Sequence, residues 1–378
     1  MKALTKPILS LCMIVKNERH NLPRCLASIK PYVDEMIVVD TGSEDDTPEI
    51  AAKHGAKVRY FQWCDDFAAA RNYAISQASG DWILMPDADE ELVVNLEDFL
   101  APINSQPEVI AYKIALTEAN DTSRTPAYLI RLLRNLPDLK YTGRFHEQLR
   151  YQNQYLSSHQ IGYLESAKIL HYGYTQEQIL QKNITRNIPI LERARQNEGL
   201  SLMLLYTLAG MYANTQQAQK AQECYCEALD RLLPNLIDGT VPNEFSFVPS
   251  LIFTLGVQSL QQEDYETARL LCQRGLEWCS NYPPLNYLAG ATIRALGFSL
   301  GAVAYFENCI HLGREGNYYK GEPFEVSYIT TYPAYDLGCV YLEMGRVQEA
   351  IAAFELALSF DANFTAAQEK IDEIREDL

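Results

Sequence analysis

The chain has 378 residues, 47% of them hydrophobic, which suits two or three folded domains and excludes general disorder. Its net charge of −17 argues against a nucleic-acid backbone or an anionic membrane surface as partner, though a nucleotide needs only a local site. No apolar run reaches the roughly 18 residues of a membrane span.

The start, MKALTKPILSLCMIVKNE, has a basic end and an apolar run but no small-residue cleavage site, so it reads as a first strand. Apolar runs at 8–15, 35–40, 57–61 and 81–86 read as strands, and their continuity suits a sheet buried on both faces. Helical patterns lie between them. Residues 21–30 place Leu22, Leu26 and Ile29 on one face. Thr47, Pro48 and Glu49 read as a cap, a first-turn proline and an early acid. Residues 66–79 stop at Gly80. This alternation predicts an α/β fold with a mostly parallel, Rossmann-like sheet, whose ligands bind at the carboxyl ends of the strands. Lys16-Asn17-Glu18, Asp40 to Ser43, and Asp87-Ala88-Asp89 all fall there.

From about residue 200 the pattern is helical throughout and repeats. The clearest unit has Leu337, Gly338, Tyr341, Gly345, Ala350, Phe354 and Ala357. Earlier units keep the phase, with Ala221, Ala268 and Ala302 matching Ala350. The surplus residues fall at 235–247 and 313–328, which read as loops or irregular segments. Small residues let paired helices approach while an aromatic fills the groove. The boundary this predicts separates 1–198 from 199–378.

Nine cysteines, an odd number without a CxxC, read mostly as buried thiols such as Cys272, Cys279, Cys309 and Cys339, in keeping with a reducing cytoplasm. Cys224 and Cys226 lack the second pair that would make a metal site. Asp87 and Asp89 are more telling. Two carboxylates this close repel one another, and a hard divalent cation, Mg²⁺ or Mn²⁺, would reverse that. Such a cation could carry a diphosphate. The bland alternative is a solvated acidic turn. The cation reading, and any enzymatic reading built on it, requires both aspartates to share a cleft and neither to be buried against an arginine.

Three motifs in order, LSLCMIVKNERHNLPRCLASI, VVDTGSEDDT and FAAARNYAISQASGDWILMPDADE, together resemble the nucleotide-binding half of family 2 glycosyltransferases of the GT-A fold. The likeness continues more weakly through GRFHEQL and ILHYGYTQEQILQKNITRN, and the repeats resemble tetratricopeptide repeats. The resemblance implies a metal-dependent, inverting enzyme of the hexosyltransferase type that uses a nucleotide-sugar donor, with a UDP-linked sugar as the expected class. Under it, Glu18 shapes the nucleoside pocket and Asp40 accepts from the base. Arg71 lies near base or phosphates, Asp87 contacts ribose, and Asp89 holds the metal. Glu147 is the general-base candidate, with Asp138 as alternative. His146 orients Glu147 or lines the acceptor cleft, and His171 is a late metal ligand or a buried structural histidine. Tyr172 and Tyr174 could stack on sugar or base. Lys182 and Arg186, four apart on a helix, could approach the diphosphate, but a solvated basic face is the preferred reading. His20, His54, His159 and His311 read as surface residues.

The expected partners are the donor, an acceptor saccharide, peptide or protein, and a protein on the repeat surface. A catalytically silent nucleotide-sugar sensor with an assembly platform is the rival reading. A sugar nucleotidyltransferase is disfavoured, because KNERHNLP stands where a glycine-rich triphosphate loop would be.

Overall fold

In the computed structural model, residues 8–95, 103, 106–173 and 175–376 are described. The chain divides into two compact units, one of Met1–Thr122 with Pro126–Gly199, the other of Ser123–Thr125 with Leu200–Leu378.

The first unit is built on strands β1 (Leu9–Val15), β2 (Glu35–Asp40), β3 (Lys57–Tyr60) and β4 (Trp82–Leu84), all close to their expected positions. Helices α1 (Leu22–Ile29), α2 (Thr47–Lys53) and α3 (Phe67–Ser76) connect them. Side chains alternate across a strand, so the runs feed two cores. Leu9, Leu11, Met13, Met36, Val38, Trp82 and Leu84 enter one, and Cys12, Ile37, Val39, Ile83 and Met85 the other. The register sets Val15 opposite Asp40 and Asp40 opposite Tyr60, so the strand exits stand level. β3 departs from the expectation of burial on both faces. It is the edge strand, and Lys57, Arg59 and Tyr60 are exposed.

Beyond β4 come β5 (Glu90–Val94), β6 (Ala111–Glu118), β7 (Ala127–Arg134), β8 (Leu139–Thr142), β9 (Gln148–Tyr151), β10 (Gln154–Tyr155) and β11 (Ile161–His171). The large sheet runs β3-β2-β1-β4-β7-β6-β11-β5. Its β3-β2-β1-β4 half is parallel, as is β6 with β11, whereas β7 runs antiparallel to β4 and β6, and β5 antiparallel to β11. A second sheet has the order β10-β9-β8. Helix α4 (Gln176–Lys182), a π-helical turn at Asn183–Asn187 and helix α5 (Ile188–Asn197) complete this unit. Thr47 is not the expected cap. Asp46 precedes the helix, and the Thr47 hydroxyl instead accepts a hydrogen bond from the Glu18 amide at 2.8 Å.

The second unit is all helical apart from short connections. Its helices include α6 (Leu202–Asn214), α7 (Ala218–Asp238), α8 (Val248–Gln261), α9 (Tyr265–Trp278), α10 (Pro283–Ala295), α11 (Ser299–Glu315), α12 (Thr331–Glu343), α13 (Val347–Phe360) and α14 (Thr365–Glu376). The marker alanines 221, 268, 302 and 350 are all buried. Gly290 and Gly338 lie against the rings of Phe306 and Phe354, where an added Cβ would come within 2.7 and 2.6 Å. In the unit with Cys272 at the aromatic position, Gly256 faces Leu288 instead. The expected loop at 235–247 is partly helix, because α7 runs on to Asp238 before Gly239 turns left-handed.

Among the described residues no helix is long and apolar enough to cross a membrane. Six of the nine cysteines are buried, Cys339 is half-buried, and Cys64 and Cys226 are exposed. His20, His159 and His311 are exposed as expected, while His54 is half-buried.

The close glycine contact sets a test. Gly338→Ala should destabilise the protein by roughly 1–2 kcal/mol, because overpacking against Phe354 outweighs the better helix propensity of alanine. Gly210→Ala, in α6 with nothing within 4 Å, should be neutral or mildly stabilising. Denaturant unfolding of the two variants distinguishes them.

Candidate active site

Four strand exits and one helix bring the expected residues together. After β1, Asn17 takes a left-handed conformation, φ 57°, and the loop is tied to the β2 exit by Asn17 N–H donating to Ser43 Oγ at 2.9 Å. Glu18 is half-buried, and its Oε2 accepts from Asn21 Nδ2 at 3.0 Å. At the end of β2, Asp40 is 4% exposed and its Oδ2 accepts from the amides of Gly42 and Ser43, both at 3.0 Å. Part of its carboxylate therefore organises its own loop. Gly42, at φ 105°, has open space where a Cβ would stand, so a planar ligand can approach the backbone there.

The β4 exit divides its two aspartates between different partners. Asp87 Oδ1 accepts from Arg71 Nη2 at 2.9 Å, and its Oδ2 from Arg131 Nη2 at 2.7 Å. Arg131 also binds Glu90, which is 2% exposed. Arg71 Nε donates to Glu147 Oε1 at 2.5 Å. Five charges thus alternate, Glu147, Arg71, Asp87, Arg131, Glu90, with both arginines 8% exposed. Desolvation would push the Asp87 carboxyl up, but the two guanidiniums hold it well below the usual carboxylate range. For Glu90 desolvation prevails over Arg131, and its pKa is raised.

The expectation that neither aspartate pairs with arginine is therefore corrected at Asp87. Its side chain is 39% exposed, yet both oxygens are engaged. The reason is Arg131 on β7, which the sequence reading did not single out. The two aspartates do not form a two-carboxylate cation site.

Asp89 stands apart from the arginines. Its side chain is 8% exposed and Oδ2 lies 3.3 Å from His171 Nε2. His171 closes β11, opposite Glu90 of β5 and Glu118 of β6. Its Nδ1 faces the Glu118 carboxylate at 2.9 Å, which fixes the ring and turns Nε2 toward Asp89. The hydrogen bond to Asp89 raises the His171 pKa, burial opposes it, and Glu118 adds to it, giving about 9. The protonated imidazole is therefore favoured beside Asp89. Among the described residues no group of three His, Cys, Asp or Glu side chains is arranged to hold a metal ion. One carboxylate and one backed imidazole do fit a hard divalent ion whose remaining ligands are phosphate oxygens or water.

The other expected residues are distributed around these two clusters. Glu147 precedes β9, its side chain 13% exposed. Beside it His146, at φ 49°, is exposed and its ring lies 5.1 Å from that of Phe145. Tyr172 is covered by Arg24, whose guanidinium lies 3.5 Å from the ring centroid, and its hydroxyl donates to Glu91. Tyr174 lies outside the described residues. Asp138, on the turn before β8, accepts through its backbone carbonyl from the Gln152 amide. Lys182 is half-buried rather than on a solvated face. Burial lowers its pKa to about 8 against the pull of Glu18, with Asp89 and Asp87 also acting on it, so its ammonium belongs to the acidic end of the sheet. Arg186 lies over the Phe67 ring at 5.4 Å.

Arg131 and Glu118 are not singled out by the sequence reading, and Glu90 stands in its acidic cluster without a role. A signal for Arg131 existed, because it interrupts the apolar run of YLIRLLR in a strand. Glu118, like Asp40, simply ends a strand at the ligand-binding edge.

The raised His171 pKa has a consequence for stability. Its folded value, about 9, exceeds the ordinary 6.5, so its contribution is complete below pH 6.5 and is lost as the pH rises through 9. With chelator present, the melting temperatures of the wild type and His171→Gln should differ at acidic pH and converge above about pH 9.

Known proteins resemble this chain over parts of its length. Residues 10–167 match the description glycosyl transferase family 2, and residues 334–364 match tetratricopeptide repeat. A TPR repeat-containing protein of Synechococcus elongatus is 44% identical over 193 residues, 50% of this chain and 46% of its own length. An uncharacterized glycosyltransferase of Rickettsia conorii is 38% identical over 128 residues, 33% of this chain and 45% of its own length. The chain thus spans less than half the length of these two relatives. A crystal structure of glucosyl-3-phosphoglycerate synthase from Mycobacterium tuberculosis covers 29% of this chain and 44% of that one, at 25% identity and a TM-score of 0.26. Residues 10–167 therefore resemble glycosyl transferase family 2, and residues 334–364, in the helical C-terminal unit, resemble a tetratricopeptide repeat.

Proposed function

We propose that the first unit, taken as residues 1–198, is a metal-dependent, inverting glycosyltransferase of the hexosyltransferase type using a nucleotide-sugar donor, with a UDP-linked sugar as the favoured class. The observation that carries this reading is the separation of the acidic edge into two tasks. Among the described residues Asp89 and His171 pair with no arginine, whereas Asp87 and Glu147 share Arg71.

A divalent cation, Mn²⁺ or Mg²⁺, held by Asp89 and His171 would offset the negative charge that builds on a departing diphosphate. Asp40 and Glu18 line the nucleoside end, where a carboxylate suits base N–H and ribose hydroxyl donors. Arg71 Nη1 is buried and makes no hydrogen bond, so an anionic or hydroxyl-bearing ligand beside Asp87 would find a donor ready. Lys182 adds positive charge from the helical side. Glu147 keeps Oε1 on Arg71 and offers Oε2 to the acceptor hydroxyl. As the acceptor oxygen bonds to the sugar's C1 and the bond from C1 to the diphosphate oxygen breaks, the hydroxyl proton passes to Glu147. His146 borders the acceptor side. The ribose role first given to Asp87 is shared with its role as anchor for Arg71.

The helical unit supplies acceptor or partner recognition in this reading, raising the effective concentration of a tethered acceptor. We assign the protein to the cytoplasm on its thiol content. One observation favours a second reading, a nucleotide-sugar sensor without turnover. Asp87 and Glu147 both have arginine partners, as structural carboxylates do.

Hydrolysis and transfer assays across a panel of nucleotide sugars, with and without Mn²⁺, decide between the two. The enzyme reading expects Mn²⁺-dependent turnover that Asp89→Ala removes while the far-UV circular dichroism is unchanged. Asp40→Ala should weaken UDP binding by roughly ten-fold in calorimetry, the loss of one charge-assisted hydrogen bond. Tight UDP binding without turnover of any donor would favour the sensor. Normal activity in Asp89→Ala would refute the metal assignment.

A further inference from the structure

Arg71 uses Nε and Nη2, the two nitrogens on one side of its guanidinium, for two different carboxylates. A single carboxylate facing that side ordinarily takes both nitrogens in a two-pronged pair. Asp87 is close enough to do so, since it already holds Nη2 at 2.9 Å. What prevents it is Arg131, whose Nη2 grips the other oxygen of Asp87 at 2.7 Å and which is itself held by the buried Glu90. Asp87 is stretched between two arginines, and Arg71 Nε is left for Glu147.

We propose that Arg131 is a positioning residue: by holding Asp87 Oδ2 it keeps Arg71 divided between two carboxylates and so fixes Glu147 at the acceptor side. The inference rests on the reading of Glu147 as the acceptor-side base. Arg131 makes no hydrogen bond to Arg71 or Glu147 among the described residues, and the carboxylate it shares with Arg71 is Asp87. The groups that face Glu147 are Arg71 from α3, Tyr141 from β8 and the adjacent His146, with Asp87 beyond Arg71. Arg71 is the positive partner that fixes its side chain. Without Arg131, Asp87 turns to take both Nε and Nη2, and Glu147 loses its anchor.

The test pairs a readout independent of turnover with a kinetic one. Carbodiimide and an amine label accessible carboxyl groups, which mass spectrometry locates. In Arg131→Met at near-neutral pH, labelling of Glu147 should rise several-fold over the wild type. Labelling of Glu35 should stay unchanged. Glu35 is a fair control, because its side chain is 9% exposed and is held by Ser10, Lys57 and Ser79, outside the network. Arg131→Lys, which keeps the charge but loses the planar fork, should show a smaller rise and guards against a misfolded Met variant. For the UDP-sugar that the wild type turns over best, kcat should fall about ten-fold with KM for the donor within about two-fold, as expected when a transition-state group is displaced. Unchanged labelling of Glu147 in both variants overturns the proposal, as does a rise matched at Glu35, which signals general loosening. Absence of wild-type turnover with every donor counts against the enzyme reading alone, and the labelling still decides the role of Arg131.

Discussion

The arrangement at the strand ends depends on one guanidinium. Arg71 lies on α3 with 8% of its surface exposed, and it joins the exit of β4 to the segment before β9 by binding Asp87 and Glu147 at once. Burying an arginine is costly unless carboxylates surround it, and burying carboxylates is costly unless cations do. The alternation of Glu147, Arg71, Asp87, Arg131 and Glu90 satisfies both demands along one chain of contacts. Such networks add little net stability compared with apolar packing, but removing any single member leaves its neighbour uncompensated. Their value here is positional. They draw groups from α3, β4, β5, β7 and the turn before β9 to one edge of the sheet.

The same edge holds a second, separate arrangement. Asp89 and His171 face each other with Glu118 behind the imidazole, and the two carboxylates, against the effect of burial, raise the histidine to about 9. Two residues on from Asp87, the chain thus changes from a carboxylate paired with arginines to one paired with an imidazole, with the Lys182 ammonium also acting on it. A proton can leave that place to another cation, while the guanidiniums cannot be displaced in this way.

How much of this was legible follows from what each residue signals. The strands β1, β2 and β4 were plain because a core strand is apolar along its length, and their exits therefore located Glu18, Asp40, Asp87 and Asp89 at one edge. β3 misled, because Lys57-Val58-Arg59-Tyr60 is an edge strand with exposed side chains. The antiparallel half was harder. Pairing of β7 with both β4 and β6 is non-local, and no local pattern in Ala127–Arg134 says that Arg131 points to a buried acid. The spacing of Lys182 from Arg186 fits an exposed face, whereas its half-buried place follows from the return of the chain after β11. In the repeats, glycine and aromatic spacing was enough to anticipate Gly290 against Phe306 and Gly338 against Phe354.

In the proposed reading the acidic edge has two parts, one that would grip a cation and one that would hold a base. A crystal structure of the full chain soaked with UDP and Mn²⁺ addresses it directly. The account predicts Mn²⁺ between Asp89 and His171, with Asp87 still on Arg131 and Glu147 still on Arg71. Nucleotide bound with no ion at Asp89, or Mn²⁺ taken by Asp87 with Arg71 and Arg131 displaced, would contradict it.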